Sequence, residues 1–199
     1  PRLCELCSCN LSQDFDVRKR RALLDVPCPD GEQYLPFQIE GINEIALRDN
    51  VLLGDEMGLG KTIQVLGYIN ATKPTRVLVV CPNSLTTNWL READKWLIPS
   101  VRSTYDIEIA ATQLYIPTNF VIISYECLVR YSRALQLEEP WDLIIIDEGH
   151  FIKNPSTKRC RAVFALQRLG VKRVMLTGTP IVNYPYELQP LIRWIDPER

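Results

Sequence analysis

Long apolar runs are missing from this sequence: nothing in its 199 residues approaches the roughly 18 consecutive apolar positions of a membrane-spanning helix. The amino terminus also lacks the charged-then-apolar order of a signal peptide. A membrane-spanning helix is thereby excluded, and the chain is expected to work inside the cell. Charge imbalance is missing too. A formal net charge of -1 offers no overall attraction to nucleic acid or an anionic membrane, so any such partner must be argued from local sites. There is no internal repeat and no low-complexity tract. Metal-binding pattern is thin: of seven cysteines, Cys4, Cys7, Cys9 and Cys28 precede residue 30, but Cys4-x-x-Cys7 is one arm of a zinc knuckle without a second. No zinc is expected, and the cysteines are read as reduced thiols. The short basic run Arg18 to Arg21 is read as a solvated face.

With 46% hydrophobic and 24% charged residues the chain can close one sizeable core. It begins at Pro1 and stops at Arg199 with no obvious closing element, and is expected to be a piece of a longer protein. The texture changes near Gln33, which separates a cysteine-containing leader at 1–32 from a patterned region at 33–199. That region carries short apolar runs at 51–53, 77–80, 120–123, 143–146 and 173–176, spaced by amphipathic segments such as 84–96 and 157–169. Continuous apolar runs suit strands buried on both faces, so an α/β, doubly wound, mostly parallel sheet with helices on both faces is expected.

Two stretches carry chemistry. In Gly54-Asp55-Glu56-Met57-Gly58-Leu59-Gly60-Lys61-Thr62 a strand feeds a glycine-rich loop that opens a helix. Glycines at 58 and 60 permit backbone angles that let successive N–H groups point into one concavity, where an anion fits. Lys61 adds a cation for the β- and γ-phosphates, and the Thr62 hydroxyl suits Mg²⁺. Asp55 stands where a phosphate loop normally opens with glycine; its carboxylate must point away from phosphate, toward loop N–H groups. Leu143-Ile144-Ile145-Ile146-Asp147-Glu148 is a buried strand ending in two carboxylates. Asp147 is suited to Mg²⁺, and Glu148 to orienting and deprotonating a water aimed at the γ-phosphate. His150 follows them, and Thr177, Gly178 and Thr179 close the next strand at the same sheet edge, placed to couple hydrolysis to the rest of the molecule. Trp89 and Trp96 are read as core.

Together these blocks resemble the first RecA-like lobe of superfamily-two helicase-like ATPases, specifically the Swi/Snf-like DNA translocases. In that family the loop itself reads Asp-Glu-Met-Gly-Leu-Gly-Lys-Thr, which matches Asp55 to Thr62. Leu35 to Gly41 is similar to the upstream element in which Gln38 would read the adenine edge, with Phe37 in place of the usual tyrosine. Cys81 to Trp89 and Ile123 to Glu126 are similar to motifs Ia and Ib, Asp147 to Asn154 to motif II and its extension, and Leu176 to Leu188 to motif III. The resemblance implies ATP and Mg²⁺ as ligands and duplex DNA as partner. It places DNA contacts near Ser84, Leu85, Asn88 and Ser124, and the nucleus as the site of action in a eukaryote, otherwise the cytoplasm. It also implies a second RecA-like lobe supplying arginine fingers, which these 199 residues lack. Two other readings stay open: an RNA helicase of the same superfamily, and a non-hydrolysing single-lobe nucleotide-binding module.

Overall fold

A computed structural model of the chain describes residues 24–110, 118–135, 139–179 and 185–198. Six strands form one sheet, β1 (Asn50–Leu53), β2 (Val77–Cys81), β3 (Ile107–Ala110), β4 (Phe120–Ser124), β5 (Trp141–Ile146) and β6 (Gly170–Leu176), in the spatial order β1-β6-β5-β2-β4-β3. Every neighbouring pair is parallel. The apolar runs dictate this: β2 and β4 are buried at all five positions, as strands covered on both faces must be. The expected parallel α/β sheet is present. One strand was not foreseen, β3, whose Ile107-Glu108-Ile109-Ala110 is short, half-buried and at the sheet edge.

Alternation along the strands divides the core in two. Leu143 and Ile145 face a cluster with Val77, Val79, Phe120, Ile122, Trp89 and Ile69, while Ile144 and Ile146 face one with Val80, Ile123, Leu128, Val163 and Trp194. The first is covered by α1 (Pro36–Leu47), α2 (Lys61–Thr72) and α3 (Thr86–Trp96), the second by α5 (Tyr125–Leu135), α6 (Lys158–Ala165) and α7 (Leu188–Ile195), with a short α4 (Pro99–Arg102) before β3. Helix α1 begins with Pro36 at a position where a missing N–H costs nothing, and the Gln38 side chain accepts from the Leu35 N–H. Helix α3 starts later than the sequence pattern suggests, after a 3₁₀ turn at Asn83–Leu85, and α6 gives way to another at Leu166–Arg168. Helices α1 and α2 approach closely at Gly41 and Gly67, where an added Cβ would collide with Gln64 and Ile42.

The packed chain begins before Gln33. The Leu24 N–H donates to Asn43, Val26 and Cys28 pack against the core, and Tyr34 stacks on Trp96 and hydrogen-bonds to the Pro27 carbonyl. Asn70 gathers this region, donating to Tyr34 and Trp96 and accepting from Ile98. The Cys28 thiol is free, with its pKa pushed up by burial; Cys4, Cys7, Cys9 and the basic run Arg18 to Arg21 lie outside the described residues. Among the described residues no group of three or more His, Cys, Asp or Glu could hold a metal, and no helix is long and apolar enough to cross a membrane.

Candidate functional site

Register brings the carboxyl ends of the strands together. Leu53 pairs with Leu176, Met175 with Ile146, Ile146 with Val80 and Cys81 with Ser124, so Gly54, Thr177, Asp147, Pro82 and Tyr125 all emerge on one edge. In open α/β sheets this edge is where ligands gather. A cleft of about 260 Å³ opens there, its wall including Gly58, Gly60, Lys61, Thr62, Asp147 and Glu148. A larger cleft of about 720 Å³ lies near Asn50 and the end of α7, but it holds none of the motif residues, and the smaller one carries the chemistry.

The loop wall is made of backbone. Gly58 and Gly60 take φ of +86° and +73°, and at Gly60 a Cβ would also lie 2.6 Å from the Gln38 amide nitrogen. Gly60 caps α2 without any side-chain bond, which leaves that helix's first N–H groups directed at the cleft. The Lys61 ammonium arches over the loop and donates to the carbonyls of Asp55 (2.8 Å) and Glu56 (2.9 Å). Asp55 points away from the cradle, but its partner is the side-chain amide of Gln64 at 2.9 Å, not the loop N–H groups expected from the sequence. Gln64 is fully buried on α2, so an amide that must find a partner was the available signal. Gln38 is buried between Leu35, whose N–H donates to it, and the Leu59 carbonyl at 3.5 Å, which ties α1 to the loop. Met57 and Leu59 are exposed; Gly178 packs so closely on Met57 that a Cβ there would lie 2.5 Å from its Cγ.

The opposite wall is built on one buried carboxylate, with half-buried Glu148 beside it. Asp147 is 7% exposed; its Oδ1 accepts from the Glu148 N–H (2.9 Å) and its Oδ2 from the Trp89 indole (2.8 Å). Burial raises its pKa, and the Trp89 hydrogen bond works against that rise by favouring the charged form. Trp89 does belong to the core, at 1% exposure, but its N–H also serves the site, a role that the core assignment from sequence missed. Glu148 sits at φ +51°, in the left-handed region, at a cost of about 1–2 kcal/mol for a side-chain-bearing residue. That turn delivers its carboxylate to the cleft, 3.1 Å from His150 Nδ1, while the His150 ring tilts against Phe151 at 4.9 Å. Thr177 is buried: its N–H extends the β1 ladder to the Leu53 carbonyl, and its hydroxyl accepts from the Thr179 N–H. Pro180 to Asn183 lie outside the described residues.

The four residues assigned to DNA part company. Ser84 and Asn88 are exposed, but Leu85 and Asn88 line the same cleft as Lys61 and Asp147. Ser124 is corrected: at 2% exposure its hydroxyl accepts from the Cys127 N–H and caps α5, so burial removes it as a surface phosphate contact.

The SNF2-related domain matches residues 37–199. The chain belongs to that family. Similar proteins include the SWI/SNF-related matrix-associated actin-dependent regulator of chromatin subfamily A-like protein 1 of Bos taurus, 38% identical over 169 residues, covering 82% of this chain and 17% of the relative. The DNA repair and recombination protein RAD54B of Gallus gallus is 36% identical over 188 residues, covering 81% of this chain and 20% of the relative. Among solved structures, the Sulfolobus solfataricus SWI2/SNF2 ATPase core in complex with dsDNA matches with a TM-score of 0.77 at 30% identity, over 89% of this chain and 38% of that one. The SNF2-related chain thus has the fold of part of an SWI2/SNF2 ATPase core, and spans only a fraction of the length of these relatives.

Proposed function

We propose that this SNF2-related lobe binds ATP with Mg²⁺ and is half of a motor that hydrolyses ATP while tracking along duplex DNA. The observation that carries the reading is the single cleft in which a glycine-built loop with Lys61 faces Asp147 and Glu148. The donor set fits the metal: a hydroxyl at Thr62 and a carboxylate at Asp147 are hard oxygen ligands, which Mg²⁺ prefers. Bound there, Mg²⁺ would neutralise charge on the β- and γ-phosphates.

The loop N–H groups and Lys61 hold the phosphates; Gln38 is buried with its amide bonded to Leu35 and Leu59, and would read the adenine edge only by releasing its long 3.5 Å bond to the Leu59 carbonyl. Glu148 orients the attacking water and takes its proton; general-base catalysis of this kind contributes roughly 10²–10⁴ in rate. Gly178 against Met57, and His150 against Glu148, are the contacts through which a change at phosphate reaches β6 and the motif II turn. Ser84, with its exposed hydroxyl, supports the DNA face. An arginine finger contributes about 10³–10⁵ in related phosphoryl transfer, so the lobe by itself would turn over slowly and depends on a second lobe.

Duplex DNA is favoured over RNA because the solved neighbour is described in complex with dsDNA and the relatives act in chromatin regulation and DNA repair by name. In a eukaryote that work would be nuclear. The test is the ATPase rate of the intact protein alone, with duplex DNA and with RNA. Acceleration by duplex DNA is expected; equal or greater acceleration by RNA would favour the helicase reading, and ATP binding without turnover would favour a nucleotide-binding module.

A further inference from the structure

Asp147 is held from three directions, two of them by residues far away in sequence. Trp89, on α3, donates its indole N–H to Oδ2 at 2.8 Å; Glu148 donates its own N–H to Oδ1 at 2.9 Å. Tyr125, the first residue of α5, donates its hydroxyl to the Asp147 main-chain carbonyl at 2.7 Å. Tyr125 and Trp89 are buried, and Phe151, from the turn after Glu148, stacks on the Tyr125 ring at 5.3 Å with planes 7° apart.

If Trp89 only filled space, a phenylalanine would serve, and no acceptor would be needed. A buried indole N–H usually finds a partner, although that of Trp141 has none among the described residues; the Trp89 N–H has a carboxylate, the stronger kind of acceptor. Each carboxylate oxygen accepts once from protein, and a carboxylate has about four lone-pair sites, so acceptor capacity remains toward the cleft that Asp147 lines. Without these bonds the two oxygens of the carboxylate would have no fixed direction. Tyr125 complements this by fixing the main chain from which the side chain departs.

We propose that Trp89 and Tyr125 are positioning residues that clamp the side chain and the backbone of Asp147, and thereby set the strength of its Mg²⁺ site. The proposal rests on reading the cleft as an ATP·Mg²⁺ site; Tyr125 is fully buried and outside the cleft wall, whereas the Trp89 ring also forms part of that wall. Both act through Asp147.

The test uses the intact protein and a fluorescent, non-hydrolysable ATP analogue titrated at a series of Mg²⁺ concentrations. Trp89→Phe keeps a ring and removes the N–H; Tyr125→Phe removes only the hydroxyl. Partners that orient metal ligands typically matter by 10–100-fold, so each variant is expected to need about tenfold more Mg²⁺ for half-maximal binding. In Tyr125→Phe, whose side chain lies outside the cleft wall, binding of the analogue without Mg²⁺ is expected to be unchanged, which a general loss of structure would not allow. Thermal unfolding is read alongside, and if Trp89→Phe fails to fold, Tyr125→Phe decides. An unchanged Mg²⁺ requirement in Tyr125→Phe, or in a folded Trp89→Phe, overturns the clamp while the nucleotide site stands. A wild-type protein whose analogue binding ignores Mg²⁺ overturns both.

Discussion

From Gly54 to Thr62 the chain is shaped by its own backbone: two glycines at positive φ, a helix start, and a lysine bonded to carbonyls five and six residues back, with Met57 72% exposed. Across the cleft, Asp147 is buried and held by Trp89 from 58 residues away and by Tyr125 from 22. The two walls differ in the distance over which they are specified. A local, backbone-built wall tolerates exposure, because main-chain groups hold their direction without packing. A wall built on a buried carboxylate, Asp147, needs partners brought in by the fold, since an unpaired buried charge is costly.

Substitutions on each wall should therefore fail in different ways. The largest effect is expected from Glu148→Gln, which keeps the side chain's shape and removes the base: turnover should fall about 10²–10⁴-fold with nucleotide affinity retained, measured by ATPase rate and by analogue titration. Next is Lys61→Ala. It removes a hydrogen bond to a charged group, about 1.5–3 kcal/mol, so analogue affinity should drop roughly tenfold to a hundredfold. Equal loss of binding in the two variants would erase the division between the walls. Gly60→Ala should cost about 1–2 kcal/mol through its left-handed backbone, seen as a lower thermal midpoint, and should push Gln38 aside. The smallest effect is expected at Gly178→Ala, where the backbone is unstrained but the Cβ would lie 2.5 Å from Met57 Cγ and 3.3 Å from its main-chain nitrogen: Met57 must shift, at a cost of about 1 kcal/mol by denaturant unfolding.

The same contrast explains what could be seen in the sequence. Gly58, Gly60, Lys61 and Thr62 are adjacent, and glycine spacing states a backbone requirement directly. The strands of the sheet interior were visible as unbroken apolar runs, whereas β3 was not, because a four-residue edge strand with three half-buried positions and a glutamate lacks that signal. The partner of Asp55 was missed by nine residues, since nothing local says that Gln64 faces the loop opening. Ser124 was placed on the surface by its motif, although the start of α5 turns its hydroxyl inward as a cap. Trp89 shows the limit most clearly: its burial could be expected from residue type, but its acceptor is set only when α3 packs beside β5.

The most direct test of the central claim is equilibrium binding of the fluorescent ATP analogue to the intact protein, with Mg²⁺, for wild type, Lys61→Ala and Glu148→Gln. If the cleft between the loop and the acidic pair is the nucleotide site, wild type and Glu148→Gln bind alike and Lys61→Ala binds far more weakly. Equal binding by wild type and Lys61→Ala would contradict it.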